Sequence, residues 1–333
     1  IVGIAENVIF YHSGDNVYHV ITTANLSNAA IIDGFIITSG HAKGENDFTF
    51  ETYTYNHNTG AGLTNYFSSP TINNCVFEHN RATYGGAIYN TEESHSEYDS
   101  CTFQYNYAYD FSSAEQSTSE SNMDSDADVE ASALAFGGAF YNNRDAEPHL
   151  KNSIFRYNYA VSKATTSSYA LSDINSGSSA QDIEATAYSE ASSNSKGGAF
   201  YNYFGSSPVF ENVTFEFNQA ISKTNTRVEA VVQAHALADG ESSAYDEAYA
   251  TSFGGAVFSR VGGNPVFNKC LFSDNSAFCE LNSETIATAP LHANSTSQPY
   301  SESEGEAEAF GGACYFESSS VPQITNSIFY KNL

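Results

Sequence analysis

The sequence predicts an all-β fold, a parallel β-solenoid of about seven stacked coils, each called a rung. Three observations lead to this prediction. A Gly-Gly-Ala motif occurs five times, a phenylalanine follows each motif at a fixed distance, and an asparagine follows each phenylalanine. The segments between these landmarks are short, rich in β-branched and aromatic residues, and bounded by Gly, Pro and Asn, as strands are.

The spacing of the landmarks does not vary. The motifs begin at Gly85, Gly137, Gly197, Gly254 and Gly311, a phenylalanine lies 18 residues after each of these glycines, and an asparagine lies 3 residues after each phenylalanine. Phe77 and Asn80 form an earlier pair that no Gly-Gly-Ala motif precedes, and Phe35 with Thr38 is interpreted as a degenerate first pair. The phenylalanines are Phe77, Phe103, Phe155, Phe215, Phe272 and Phe329; the asparagines are Asn80, Asn106, Asn158, Asn218, Asn275 and Asn332.

Stacked rungs give each landmark a structural role. The unit from Phe77 to Phe103 has 26 residues, about the length that three short strands and three turns require. Equal positions of adjacent rungs would lie about 4.8 Å apart, so phenylalanine would stack on phenylalanine in the core. Each asparagine would bond to its equivalents at a turn, and Gly-Gly would permit a bend where a Cβ would clash.

The motif Gly85-Gly86-Ala87-Ile88, the Phe-x-x-Asn pairs and their constant spacing resemble the repeats of polymorphic outer-membrane proteins, which are bacterial surface adhesins. Asn16–Ile21 and Ile31–Thr38 are similar to the first coils of bacterial secreted parallel β-helix proteins. This resemblance implies right-handed winding, secretion and display on the cell surface. It carries over no catalytic residue, because the adhesin family has no catalytic motif to match. The motifs specify the fold well and the function poorly, since β-helices serve adhesins and polysaccharide-cleaving enzymes alike.

Long insertions separate the later landmarks. The gap between phenylalanine and the next Gly-Gly-Ala is 8 residues in the shortest unit and 34 to 42 residues in the four that follow. We therefore interpret residues 1–333 as one β-helix domain, with N-terminal rungs in 1–84 and Gly-Gly-Ala rungs in 85–333. The insertions lie at about 109–136, 161–196, 221–253 and 278–310.

The insertions are rich in Ala, Ser, Tyr, Asp and Glu, which at first suggests disordered linkers. However, Val228, Ala230 and Val232 alternate with polar residues as in a strand, and turn signals follow at Asp239-Gly240 and at Asn175–Gly177. This alternation predicts ordered arms that run out and back and stack as two facing parallel sheets. Small Ala and Ser faces would allow close approach, and outward acids would discourage merging with other particles.

The charge is strongly acidic, with 39 Asp and Glu against 12 Lys and Arg and a formal net charge of −27. Nucleic acids and anionic membrane surfaces are therefore not expected partners. The chain has no apolar run long enough to insert into a membrane. Both chain ends look processed or cut from a longer protein.

No cofactor is predicted with the exception of Ca²⁺, which prefers carboxylate oxygens. Acids alternate on one edge of two insertions, and solvated surface charge is the competing interpretation. These candidate ligands are Asp124, Asp126, Asp128 and Glu130 in the first insertion, and Glu302, Glu304, Glu306 and Glu308 in the last.

An enzyme is not predicted. A lyase acting on acidic polysaccharides needs Arg or Lys, and the few basic residues are scattered, among them Lys43, Arg81 and Arg144. A hydrolase needs two carboxylates on one face of the molecule. With 39 acidic residues such a pair can be found anywhere, so its presence does not indicate an enzyme. The five cysteines exclude full pairing within one chain, and Cys279 with Cys314 is the candidate disulfide.

The predicted function is that of a non-catalytic extracellular protein of the bacterial cell surface, structural or adhesive. Its partners would be other copies of the chain, stacked end to end or joined through the arms, and glycans or another cell surface. Such a protein would also fit a fibre subunit. The alternative is a β-helix that binds or cleaves polysaccharide. Adhesin and structural filament remain equally open.

Overall fold

The computed structural model describes residues 17–44, 47–50, 53–174, 183–234, 240–289, 298–317 and 319–333. Within these ranges the chain is all-β and contains no helix. Five of its six sheets are parallel, and the sixth pairs two short antiparallel strands, β4 (Phe48–Phe50) and β5 (Tyr53–Tyr55). The all-β prediction is confirmed, and the parallel sheets are compatible with a solenoid.

Three seven-stranded parallel sheets receive successive strands in turn, so the chain visits the first, second and third sheet in that order and then returns to the first. The first sheet contains β1 (Ile21–Ala24), β6 (Leu63–Tyr66), β10 (Ile88–Thr91), β15 (Phe140–Asn142), β20 (Phe200–Asn202), β25 (Val257–Ser259) and β30 (Cys314–Phe316). The second contains β2 (Ile31–Asp33), β7 (Thr71–Asn73), β11 (Glu97–Asp99), β16 (His149–Lys151), β21 (Val209–Glu211), β26 (Val266–Asn268) and β31 (Gln323–Thr325). The third contains β3 (Ile36–Thr38), β8 (Val76–Glu78), β12 (Thr102–Gln104), β17 (Ile154–Arg156), β22 (Thr214–Glu216), β27 (Leu271–Ser273) and β32 (Ile328–Tyr330).

The register of the third sheet corrects the interpretation of the first repeat. Ile37 pairs with Phe77 and is buried, whereas Phe35 is 61% exposed. The residue in the asparagine position is therefore Gly40, whose N–H donates to Asn80 Oδ1. The sequence assignment of Phe35 and Thr38 was out of register by two residues, because an aromatic residue was expected where this repeat has isoleucine.

Single residues with positive φ turn the chain between the short strands. Asn74, Asn152 and Asn212 have φ values of 53°, 48° and 55° and lie at the same corner, between the second and third sheets. Asparagine tolerates this left-handed conformation better than most residues. One such residue at a fixed position in each repeat keeps the corners in register.

The second glycine of each motif is required by close stacking. A Cβ placed on Gly198 would lie 2.0 Å from the carbonyl oxygen of Gly255, the same position in the next repeat. Gly197 has φ +64°, a conformation that other residues rarely adopt. The motif thus combines a left-handed residue with a position where two backbones touch.

Each of the four insertions contains two long strands, and these strands build two further parallel sheets. The outgoing strands are β13 (Tyr107–Ser121), β18 (Tyr159–Ile174), β23 (Gln219–Ala234) and β28 (Ser276–Thr288), and the short β9 (Arg81–Ala82) pairs with β13. The returning strands are β14 (Ser125–Phe136), β19 (Ile183–Lys196), β24 (Gly240–Phe253) and β29 (Gln298–Phe310). We call each outgoing and returning pair an arm.

Small side chains fill the space between the two arm sheets. Alanines of both sheets are buried there, and hydroxyl groups bond across the gap, as between Ser193 Oγ and Thr224 Oγ1 at 2.7 Å. Val228, Ala230 and Val232 are buried in this interface. The predicted turn at Asn175–Gly177 lies outside the described residues. Of the predicted turn at Asp239-Gly240, only Gly240 is described, and it begins β24.

Candidate functional site

The predicted phenylalanine column is the centre of the main core. Adjacent rings from Phe77 to Phe329 stack with centroids 4.4 to 5.1 Å apart. The five rings up to Phe272 are fully buried, and Phe329, in the last strand, is 46% exposed. Side chains from all three seven-stranded sheets join these rings in one cluster. The column contributes burial and offers no group for chemistry.

The predicted asparagines form a continuous ladder beside that column. Asn158 Nδ2 donates to Asn218 Oδ1 at 2.9 Å, and Asn218 Nδ2 donates to Asn275 Oδ1 at 2.9 Å. The same Asn218 Nδ2 also donates to the carbonyl of Phe155 at 2.9 Å. Every link from Asn80 to Asn332 repeats this pattern. These amides are occupied by one another and by the backbone, so they hold the turns together.

Two further amide pairs were not predicted. Asn65 Nδ2 donates to Asn90 Oδ1 at 2.6 Å, and Asn142 Nδ2 donates to Asn202 Oδ1 at 3.0 Å, all fully buried on the first sheet. The recurring Tyr-Asn pair that follows Gly-Gly-Ala, as at Tyr141-Asn142, was the sequence signal for them.

The two sets of candidate calcium ligands lie on opposite edges of the four-stranded arm sheet. Asp126, Asp128 and Glu130 point outward from β14 and are exposed, and Asp124 precedes that strand. Glu302, Glu304 and Glu306 are exposed on β29, and Glu308 is half-buried there. Strands β19 and β24 separate the sets, so the structure does not bring them together. Among the described residues no group of three or more His, Cys, Asp or Glu has the geometry of a metal site.

A row of glutamates crosses the outer face of the same sheet. Glu130, Glu190, Glu247 and Glu304 are register partners in four adjacent strands. Tyr249 Oη donates to Glu247 Oε2 at 3.1 Å. Like charges side by side destabilise a sheet, so this face favours a cationic neighbour.

One acid lies inside the arm interface. Asp246 is 2% exposed, and its Oδ2 accepts hydrogen bonds from Thr226 Oγ1 at 2.7 Å and from the hydroxyls of Ser283 and Ser303. Its register partners are serines, Ser189 and Ser303. Hydroxyl groups therefore solvate Oδ2 of this carboxylate, where the other strands carry an uncharged residue.

The five cysteines are free thiols, so the candidate disulfide between Cys279 and Cys314 is not formed. Cys279 lies in the outgoing strand of the last arm, where its thiol donates to the carbonyl of Glu308 at 2.9 Å. Cys314 instead packs against the main core. The two belong to different sheets, which spacing alone did not reveal. Burial raises the pKa of all five thiols, which disfavours the thiolate form.

A pocket of about 250 Å³ lies at the base of the first arm. His41 and Lys43 line it from the first repeat, Arg81 from the second, and Tyr109 and Phe111 from β13. No single repeat clusters these basic residues, which is why the sequence showed them as scattered. Stacking places them together, since His41 and Arg81 are bridge partners in adjacent repeats.

Among the described residues no helix is long and apolar enough to cross a membrane. A scan against protein-family models, a search of curated proteins and a search of solved structures each returned no match.

Proposed function

We propose that this chain is a non-catalytic extracellular scaffold of a bacterial surface, built as a closed right-handed parallel β-helix of about seven rungs. The arms would be its display elements, and the β-helix would hold them in a fixed row. The resemblance to polymorphic outer-membrane protein repeats suggested secretion and handedness, and both remain part of this proposal.

One observation carries the proposal: residues at equivalent positions of successive repeats stack directly on one another. The phenylalanine column, the asparagine ladder from Asn80 to Asn332 and the Gly-Gly positions contact their own equivalents in the next repeat. Such a molecule gains rigidity and length from each added repeat, which suits a support. The in-register glutamates of the four-stranded arm sheet then form a repeated charged surface for partners.

Self-association end to end is the second part of the proposal. Among the described residues, the first and last strands of the third sheet each have one edge without a neighbouring strand, and Ile36 and Ile328 there are 65% and 62% exposed. Strand edges of this kind pair readily with further strands. A head-to-tail contact between the two ends repeats without closing and yields a fibre.

Electron microscopy and sedimentation over a range of protein concentrations test the fibre. We expect filaments that Ile328→Lys abolishes and Met123→Lys leaves intact, because both side chains are 62% exposed but Met123 lies between the strands of the first arm. Dispersed single particles at every concentration contradict the fibre. A binding screen on glycans and host cell surfaces tests adhesion, and a polysaccharide turnover assay with the same preparation tests the absence of catalysis.

The second candidate function is recognition of polysaccharide. The pocket at the base of the first arm favours it, because basic and aromatic side chains converge there in an otherwise acidic chain. Turnover of polysaccharide would replace the scaffold proposal, whereas binding without turnover is compatible with both.

A further inference from the structure

A buried carboxylate lies between the two arm sheets, in the third arm. Asp246 of β24 is 2% exposed, and Thr226 Oγ1 of the facing strand β23 donates to its Oδ2 at 2.7 Å. The hydroxyls of Ser283 and Ser303, one from each strand of the last arm, donate to the same oxygen. Three donors on one oxygen are the surroundings of a carboxylate anion. The side chain therefore places a negative charge inside the interface.

The second oxygen of this carboxylate is buried and has no hydrogen-bond partner. No described residue donates a hydrogen bond to Asp246 Oδ1. Within the described ranges, no Lys, Arg or His forms an ion pair with Asp246. Buried charges in proteins are paired with an opposite charge or coordinate a metal ion, because an isolated one is strongly disfavoured. The described part of the chain supplies no such positive charge.

The other arms show that packing does not require an acid at this position. The register partners of Asp246 are Ser189 in β19 and Ser303 in β29, and Val129 occupies the position in β14. All three side chains are uncharged, and Val129 and Ser189 are buried between the sheets. A small uncharged side chain thus fits the same space, so the carboxylate of Asp246 contributes its charge and not a better fit.

Hydroxyl oxygens surround this carboxylate in a compact cluster. Ser283 Oγ and Ser303 Oγ lie 2.6 Å apart, and Ser303 Oγ lies 3.2 Å from Asp246 Oδ2. Ser189 lies in register on the neighbouring strand, where its hydroxyl donates to Thr166 Oγ1. Each hydroxyl oxygen keeps a lone pair after it has donated its proton. A donor set made only of oxygen atoms suits a hard cation.

The charge of the cluster selects among the hard cations. Asp246 is its one carboxylate, since the groups bonded to it are serine and threonine hydroxyls. A monovalent cation leaves the buried site neutral, whereas Ca²⁺ leaves an excess positive charge and takes about six to eight oxygen ligands, commonly several carboxylates. Ser283 and Ser303 are exposed, so the cluster extends to solvent and gives a small ion a route to Asp246.

We propose that the arm interface binds a monovalent metal cation, Na⁺, on the carboxylate of Asp246 and the hydroxyls of Thr226, Ser189, Ser283 and Ser303. The compact cluster favours Na⁺ over the larger K⁺. The ion would hold the third arm against its neighbours and neutralise the acid between them. This site goes beyond the scaffold function and depends neither on fibre formation nor on glycan binding.

Thermal unfolding of the full chain tests the site, in sodium chloride and in tetramethylammonium chloride at equal ionic strength. The tetramethylammonium ion screens charge but is too large for the cluster. We expect sodium to raise the unfolding midpoint by at least about 2 °C. Asp246→Ser, which matches the neighbouring arms, should abolish this difference and should be more stable than the unchanged chain in tetramethylammonium chloride.

Asp128→Asn is the matched control, because Asp128 is an exposed acid on the outer face of the same sheet. It should keep the full difference between the two salts. Sodium NMR relaxation on the same proteins reports the bound ion directly, and the unchanged chain and Asp128→Asn should each accelerate it more than Asp246→Ser does. Circular dichroism identifies variants that do not fold, and Asp246→Asn, which preserves the shape of the side chain, replaces Asp246→Ser in that case.

Three results overturn the proposal. Equal midpoints of the unchanged chain in the two salts assign the buried oxygen to a proton or a water molecule. A sodium effect that persists without the Asp246 carboxylate, or that Asp128→Asn removes equally, reflects general screening of the acidic chain. Stabilisation by calcium chloride that requires Asp246, with none by sodium chloride, contradicts a monovalent ion. Electron microscopy of the same variants reports on the scaffold separately.

Discussion

The rings of Phe215 and Phe272 stack with their centroids 4.8 Å apart and their planes inclined by 4°. They come from equal positions of two successive repeats, and a complete arm lies between them in the chain. Each ring is covered on both faces, since Phe155 stacks on the other side of Phe215 at 5.0 Å. The stability of one repeat therefore depends on the repeats beside it.

Phe215→Ala should lower the free energy of unfolding by about 3–5 kcal/mol, because it leaves a cavity between two rings that cannot close around it. Phe217→Ala is the matched control. Phe217 also stacks, on Tyr157 at 5.0 Å, but on the outer surface, where it is 39% exposed. It should cost about 1 kcal/mol or less. Urea unfolding measures both, and equal losses would show that the column is not the core.

Asn218→Ala should cost about 2–5 kcal/mol, because it strands the buried Asn158 amide and the Phe155 carbonyl without partners. Asn282→Ala on an arm removes a similar link, from Asn282 Nδ2 to Asn225 Oδ1 at 2.9 Å, in an exposed position. Water replaces that bond, so its loss should be within about 0.5 kcal/mol. A comparable loss in both variants contradicts a structural role for the buried ladder.

Gly198→Ala should prevent folding of the later repeats, because its Cβ would overlap the Gly255 carbonyl. Gly262→Ala provides the contrast. Gly262 has a positive φ, +75°, which Gly198 does not have, but nothing lies within 4 Å of its added Cβ, so only backbone strain of about 1 kcal/mol is expected. Soluble yield and thermal unfolding distinguish the two, and a stable Gly198→Ala protein would show that the repeats lie farther apart.

Alkaline pH should destabilise the fold. Burial raises the pKa of Cys101 to about 12, and it also raises the pKa of Tyr98. Both groups are neutral when folded, so their contribution is complete below the pKa of the unfolded thiol, about 8.5, and is lost as pH rises toward 12. When the pH rises from about 8 to about 10.5, the free energy of unfolding of Cys101→Ala should fall by about 2 kcal/mol less than that of the unchanged chain, as measured by urea unfolding. Identical pH profiles would mean that the thiol is exposed.

The structural features that recur in every repeat could be predicted from the sequence. Phe103, Phe155 and their equivalents were found because one side chain serves every repeat, and strand alternation in the insertions indicated order. Where a repeat departs from the pattern, spacing alone misled. Ile37 replaces the aromatic residue in the first repeat, and Phe35 was taken in its place.

The pocket was invisible in the sequence for a different reason. Lys43, Arg81 and Phe111 come from three successive repeats, and their proximity follows from the missing arm in one of them. Aligning the repeats around Asn80 places Arg81 beside His41, which was the available signal. The burial of Asp246 among hydroxyls likewise depends on which strands face each other, and alternation does not specify that.

Side chains one repeat apart occupy one column, and a crystal structure of the chain at side-chain resolution measures this directly. It should place Phe155, Phe215 and Phe272 in a continuous stack with neighbouring rings about 5 Å apart, and Asn158, Asn218 and Asn275 in a bonded ladder beside them. Rings separated by intervening residues, or helical segments in place of the short strands, would contradict it.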